Sequence, residues 1–211
     1  MLTVHHLGIS QSERIVWLCE ELEIAYDLVL YDRDPVTRLA PARYKALHPL
    51  QTAPVITDGD VVLAESAAII EYICRKHAGG RLMAQPDDAG FADFLFWFHF
   101  ANGSLVSAGM SDLIAAMLGA SVEQKQRVST RSDNAHALVE ARLGAAPYLA
   151  GEAFSAADII TVYALTTMRV FIPRDLAPYP NIRAYLARIA ARPAYQRALA
   201  KSDPGLKPMI D

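Results

Sequence analysis

Every strand-like stretch in this chain comes before residue 65, and the order of those stretches leaves few ways to fold. Leu2 to Leu7 reads as a strand and Gly8-Ile9-Ser10 as a turn. From Ser12 to Leu22, Ile15, Val16, Leu18, Cys19 and Leu22 mark one apolar helical face. Ser10 or Ser12 is placed to cap that helix, and Glu13 complements the positive end of its dipole. Tyr26 to Tyr31 is a second strand. Strand, helix and strand within about thirty residues make a minimal βαβ unit, so these strands are expected to be parallel. Polar Asp32 to Pro41 is irregular, and a short helix, Ala42 to Leu47, leads into His48-Pro49-Leu50-Gln51. Two apolar runs, Pro54 to Thr57 and Val61 to Ala64, then flank Asp58-Gly59-Asp60 as a tight hairpin. Ile69, Ile70 and Ile73 continue as a helical stripe, with Ser66 well placed as its N-cap. The order β-α-β-α-β-β-α packs naturally as a mixed four-stranded sheet with helices on both faces.

After that point the strand signals stop. Gly79 and Gly80 end the third helix, and Gln85-Pro86-Asp87-Asp88 reads as a linker and a new helix start. Helical stretches follow over Asp88 to Leu118, Val122 to Leu143, Ser155 to Phe171, Asn181 to Ala191 and Ala194 to Lys201, punctuated by Pro173, Pro178, Pro180 and Pro193. The expected division is an α/β domain over 1–79, a linker over 80–86 and an all-helical domain over 87–211.

Composition removes several function classes. With 53% apolar and 20% charged residues the chain is ordinary for a globular protein, and its net charge of −3 argues against nucleic-acid binding. Cys19 and Cys74 sit among apolar helical neighbours and read as buried packing residues, in keeping with a reducing compartment. No secretory signal or membrane-spanning run is visible, so a soluble, cytoplasmic protein is expected. His5, His6 and His99 lack ligand-like spacing, and no metal is expected.

The local chemistry is concentrated around the hairpin. A strand edge, Pro54 and a helix N-terminus converge there, an arrangement suited to a small anionic peptide: the backbone of Ala53 pairs with an extended ligand, and unpaired N–H groups hold a carboxylate. Ser155-Ala156-Ala157-Asp158 fits a capping box and reads as structural, with no catalytic role for Asp158. Phe91, Phe94, Phe96, Trp97, Phe98 and Phe100 cover every face of their helix and are mostly core. One face, Trp97, Phe100, Ser104 and Met110 with Phe171, is a candidate lining for an apolar pocket.

Four segments together resemble the cytosolic glutathione S-transferases: Ser10-Gln11-Ser12-Glu13-Arg14, His48 to Val55, Leu63 to Tyr72, and Phe154-Ser155-Ala156-Ala157-Asp158-Ile159. The resemblance spans the chain and is nearest to serine-type bacterial and fungal members. It implies a thioredoxin-like first domain, a helical second domain and a homodimer, with glutathione as co-substrate and no other cofactor. It also implies that Ser10, followed by Arg14, faces the glutathione sulfur, with Ser12 as the rival. Bringing a thiol from about 8.5 down by two units takes roughly 2.7 kcal/mol. A charge-assisted hydroxyl bond of about 1.5–3 kcal/mol with a helix N-terminus of about 0.3–1 kcal/mol covers that. The resemblance further implies a cis Pro54, two backbone bonds from Ala53 to the cysteinyl part, and Glu65-Ser66 at the γ-glutamyl end. Gln51 and Thr52, ahead of Arg38, are the candidates for the glycine carboxylate; Arg43, Lys45 and His48 are further ones. Gln51 stands where many members carry glycine, which puts that turn in question. Trp97, Phe100, Ser104, Met110 and Phe171 would then take the electrophile.

The implied activity is transfer of glutathione to a small apolar electrophile. Peroxidase, lyase or isomerase chemistry at the same site, or a non-catalytic binding protein of this fold, are the alternatives. A thiol–disulfide oxidoreductase would place cysteine near the start of the first helix, where this chain has Ser10-Gln11-Ser12-Glu13.

Overall fold

The computed structural model describes residues 1–210 and divides into two compact units. The first holds Met1–Met83 together with Ala191–Lys207, and the second holds Ala84–Ala190.

In the first unit, β1 (Leu2–Leu7), β2 (Asp27–Tyr31), β3 (Val55–Asp58) and β4 (Val61–Ala64) form one sheet in the order β2-β1-β3-β4. β1 and β2 are parallel, with Leu7 opposite Tyr31; β3 runs antiparallel to both β1 and β4. The sheet is the mixed four-stranded one expected from the βαβ start and the hairpin. Gly59 takes φ +61°, which a two-residue hairpin requires at its first central position. Side chains on both faces are buried: Leu7, Tyr31, Val55 and Ala64 pack with Tyr44 of α2 (Ala42–Lys45), while Val4 and Ile56 are covered completely. α1 (Glu13–Leu22) and α3 (Ser66–Ala78) pack on each other and on the sheet. Gly79 closes α3 in the left-handed conformation at φ +60°, and the Gly80 N–H returns to the Cys74 carbonyl.

The last helix departs from the expected division. α9 (Pro193–Ser202), assigned from sequence to the helical half, packs on α1 within the first unit. Charge carries much of that contact. Arg192 clamps both carboxylate oxygens of Glu21 at 2.7 Å, and Arg197 and Lys201 both bond to Glu20, whose side chain is nearly covered. Burial works against ionising Glu20, but bonds from Lys201, Tyr26 and Arg197 outweigh it and hold the carboxyl below its ordinary range. Trp17 and Tyr195 meet edge to face at 4.9 Å in the same contact.

The second unit is helical: α4 (Phe91–Phe100), a π-helical segment Ala101–Val106, α5 (Ser107–Met117), α6 (Val122–Ala145), α7 (Ala156–Leu165), a 3-10 turn Thr167–Val170 and α8 (Pro180–Ala190). Every residue of α7 is buried, its polar Asp158 and Thr161 included. The capping box at its start is present. The Ser155 hydroxyl accepts from the Ala157 N–H, and Asp158 accepts from the N–H groups of Ser155 and Leu149 and from the Tyr185 hydroxyl. Among the described residues no helix is long and apolar enough to cross a membrane.

Candidate active site

The turn after β1 is fixed from several sides. The Gly8 N–H donates to the Tyr31 carbonyl, and Arg33 donates to the carbonyls of Gly8 and Ile9. The Ile9 N–H donates to Asp203 Oδ1 at 2.9 Å. Ile9 itself sits at φ +49°, a conformation a β-branched residue avoids without such support. Ser10 follows, nearly buried, with its Oγ 2.6 Å from the Leu7 carbonyl and 2.7 Å from Ser12 Oγ. The Ser12 N–H donates to Ser10 Oγ at 3.2 Å. Ser12 is fully buried and heads α1 without capping it through its side chain: its Oγ accepts the Leu7 N–H at 3.1 Å and lies 2.9 Å from His6 Nδ1.

Arg14, only 1% exposed, spans two elements. Its Nη1 donates to Gln11 Oε1 at 3.0 Å and to Ser66 Oγ at 2.9 Å, tying the turn after β1 to the start of α3. This corrects the expected role of Ser66. The N-cap position belongs to Glu65, which makes no side-chain cap bond, and Ser66 is the first helical residue. Its hydroxyl accepts from the Arg14 guanidinium, a charged donor that binds about twice as strongly as a neutral one. Glu65 is exposed and strained, at φ +71°.

The Ala53–Pro54 peptide is cis, and β3 begins directly after it. Val55 pairs with Ala64, so Ala53-Pro54 and Glu65-Ser66 lie at the same end of the β3–β4 ladder. Gln51 and Thr52 are exposed. Gln51 adopts φ +56°, so the turn that a glycine would make without strain is kept with a glutamine in the left-handed region. Arg38 is exposed at φ +60° on the loop closed by its N–H to Asp34. Three strained non-glycine residues, Ile9, Gln51 and Glu65, thus stand one or two positions before Ser10, Ala53 and Ser66. Such strain persists where surrounding contacts over-determine the backbone, and it clusters at functional sites.

The proposed apolar lining holds together less well. Within the helical unit Phe100 and Ser104 border a cavity of about 420 Å³, alongside Ser107, Arg131 and Asn134. Phe171 borders a different one of about 530 Å³, with Leu113 and Pro173. Trp97 is buried, packed edge to face on Phe96 and Phe100, and Met110 is 42% exposed. Phe171 follows the 3-10 turn Thr167–Val170, while Phe100 and Ser104 flank the start and middle of the π-helical segment. The segment widens the helix locally, yet Ser107, Ala108 and Ser111 still share the cavity wall with Phe100 and Ser104, and Met110 is not among them.

Both cysteines are fully buried, and burial pushes the Cys74 thiol up to about 12 and that of Cys19 higher still. Neither is a nucleophile. Sequence reasoning did miss His6 and Asp203. No spacing pattern links residue 6 to residue 203, so their contact has no signal in the sequence.

The fold and site define a thioredoxin-like unit with a hydroxyl-lined turn, joined in one chain to a helical unit. Residues 10–76 match the family described as glutathione S-transferase, N-terminal domain, and residues 96–193 the one described as glutathione S-transferase, C-terminal domain. The chain is 31% identical to glutathione S-transferase 3 of Schizosaccharomyces pombe, covering 95% of this chain and 88% of that one. A glutathione S-transferase structure from Actinobacillus pleuropneumoniae superposes with a TM-score of 0.90 at 34% identity, over 98% of this chain and 95% of the other. A theta class glutathione S-transferase from Xanthomonas axonopodis pv. citri, solved with glutathione bound, superposes at 0.71 and 25% identity, over 93% and 96%. The chain belongs to the glutathione S-transferase family.

Proposed function

We propose that this enzyme binds glutathione on its first unit, ionises the thiol beside Ser10, and transfers the tripeptide to a small apolar electrophile held by side chains of the helical unit. The observation that carries the reading is the Arg14 bridge, which sets the Ser10 turn and the Ser66 helix start against each other at hydrogen-bond distance. In this reading the Ser66 hydroxyl and the N–H groups opening α3 take the γ-glutamyl carboxylate, and Glu65 takes the ammonium group. Ala53 pairs through its backbone with the cysteinyl part, while Gln51 and Thr52, with Arg38 behind them, meet the glycine carboxylate. Ser10 is favoured over Ser12 because the Ser12 hydroxyl is fully buried and already bonded to Leu7 and His6. The protein works in the cytoplasm as a homodimer, with no nucleic acid, membrane or further cofactor involved.

The test compares Ser10→Ala with Ser12→Ala, using chloronitrobenzene turnover and calorimetric glutathione binding. Ser10→Ala is expected to lower kcat by about 10–100-fold with affinity nearly unchanged, since the lost bond acts on the thiolate more than on the bound thiol. Loss in Ser12→Ala alone would reverse the assignment, and no heat with millimolar glutathione would end it. Sedimentation as a monomer at micromolar concentration would retire the homodimer.

A further inference from the structure

Behind the Ser10 turn lies a chain of polar side chains that thiol binding does not by itself account for. Ser10 Oγ is 2.7 Å from Ser12 Oγ, Ser12 Oγ is 2.9 Å from His6 Nδ1, and His6 Nε2 is 3.1 Å from Asp203 Oδ2. All four side chains are nearly or fully buried; His6 is 1% exposed. His6 Nε2 and Asp203 Oδ2 have no other partner, so each of these buried atoms faces only the other. The other oxygen of Asp203 holds the Ile9 N–H, immediately before Ser10. Burial opposes ionisation of Asp203, but His6 and the Ile9 N–H outweigh it and keep the carboxyl below its ordinary range. The other groups around His6 are Tyr31 and Asp32, which border the same cavity, and Arg33, which holds the carbonyls of Gly8 and Ile9.

We propose that His6, held and counter-charged by Asp203, is a positioning residue that accepts, through Ser12 and Ser10, the proton leaving the glutathione thiol. This rests on the reading that the sulfur faces Ser10. In the resting enzyme the Asp203 carboxylate keeps the His6 proton on Nε2, so bare Nδ1 accepts the Ser12 hydroxyl proton. Ser12 Oγ in turn accepts from the Leu7 N–H and from Ser10, for whose proton the Leu7 carbonyl competes. When the thiol meets Ser10 Oγ, the S–H bond breaks as a proton moves onto Ser10. The proton of Ser10 passes to Ser12, and that of Ser12 passes to His6 Nδ1. The products are a thiolate and an imidazolium beside the Asp203 carboxylate, so atoms and charge balance without a co-reactant. Every hydroxyl in the chain has then reversed, and Ser10 donates to the sulfur it has just deprotonated. In water a thiol is about a hundredfold weaker acid than an imidazolium, so the transfer needs the carboxylate as counter-charge.

The experiment uses His6→Asn and Asp203→Asn in the full chain. Asparagine at 6 keeps an amide near the Nδ1 position for Ser12 but cannot take a proton; asparagine at 203 keeps an oxygen for Ile9 but lacks the charge. Glutathione affinity by calorimetry, the thiolate absorbance of bound glutathione against pH, and the pH profile of kcat are measured for each. Affinity is expected to stay within about twofold, while the thiolate midpoint and the rising limb of kcat move up by about one pH unit, a roughly tenfold loss at neutral pH. Activity should recover in alkaline buffer, which structural damage would not allow. Unmoved midpoints in both variants overturn the proposal, as does loss of activity at every pH with a lowered melting temperature. If one variant does not fold, the other decides. Failure of the wild-type enzyme to bind glutathione would instead refute the underlying reading.

Discussion

Replacing Arg14 with methionine separates two jobs that its guanidinium performs. The side chain is buried, and one nitrogen donates to both Gln11 Oε1 and Ser66 Oγ at 3.0 and 2.9 Å. Hydrogen bonds involving a charged group are worth about 1.5–3 kcal/mol each. Removing a buried guanidinium also removes a desolvation penalty of several kcal/mol, which offsets much of that sum. Methionine keeps most of the apolar stem, so the net loss expected in denaturant unfolding is about 1–3 kcal/mol. The second effect is on the ligand. A Ser66 hydroxyl that accepts from Arg14 directs its own proton elsewhere, toward the position assigned to the γ-glutamyl carboxylate. Without the guanidinium that orientation is lost, and glutathione binding measured by calorimetry should weaken about tenfold, or roughly 1.4 kcal/mol. Arg14→Lys should recover only part of both effects, because the lysine side chain is one bond shorter and its ammonium stops short of the Nη1 position that reaches both acceptors. Wild-type affinity in Arg14→Met, whatever its stability, would show that Ser66 is not held for the ligand and would refute the reasoning.

Three further outcomes follow from other parts of the molecule. Gln51→Gly should raise the unfolding free energy by up to about 1 kcal/mol, by relieving the left-handed backbone, while weakening glutathione binding; unchanged affinity would remove the Gln51 side chain from the site. His136 is buried with its Nδ1 on the Ser132 carbonyl, and burial followed by the Arg174 charge pushes its pKa down to about 4 from the ordinary 6.5. The unfolded chain therefore binds the extra proton first, and stability should fall by up to about 3 kcal/mol as pH drops from 6.5 to 4; a His136→Gln variant should lack that component in melts across the same window. Cys19 and Cys74 should resist iodoacetamide in the native protein and react on unfolding, and rapid native labelling would contradict their burial.

Much of the fold was legible because it is written in apolar periodicity. The βαβ start, the strands flanking Asp58-Gly59-Asp60 and the mostly apolar α7 each follow a pattern of period two, period 3.6 or no period at all. The placement of α9 was not: its stripe of Ala194, Tyr195, Ala198 and Leu199 says that it packs but not on which helix. The choice of α1 is marked by Glu20 and Glu21 against Arg192, Arg197 and Lys201. Periodicity counts such residues as solvent-facing. The same omission hid Asp203, since a residue just past α9 has no sequence relation to His6 until that helix is seated. The Ser66 hydroxyl was not legible as an Arg14 acceptor, because the two residues, 52 positions apart, meet only in three dimensions. The cis bond before Pro54 was supplied by family resemblance alone, since local sequence favours trans.

The turn that carries Ser10 leaves almost nothing for the ligand to arrange. Both backbone polar groups of Gly8 and both of Ile9 are engaged, by Tyr31, Arg33 and Asp203, and each partner comes from a different part of the first unit. An isoleucine at φ +49° would relax if any one tie were weak, and relaxation would carry Ser10 away from Ser12. The strain is therefore evidence that the hydroxyl's position is set during folding. A group that stabilises a thiolate gains from this, because a donor already in place needs no reorganisation when charge develops on the sulfur. It also explains why a family member built on a thioredoxin-like unit keeps its last helix there. Docking α9 through Glu20 and Glu21 is what brings Asp203 beneath Ile9 and His6, so the acid–base machinery behind Ser10 depends on a residue 194 positions from Ile9 in sequence.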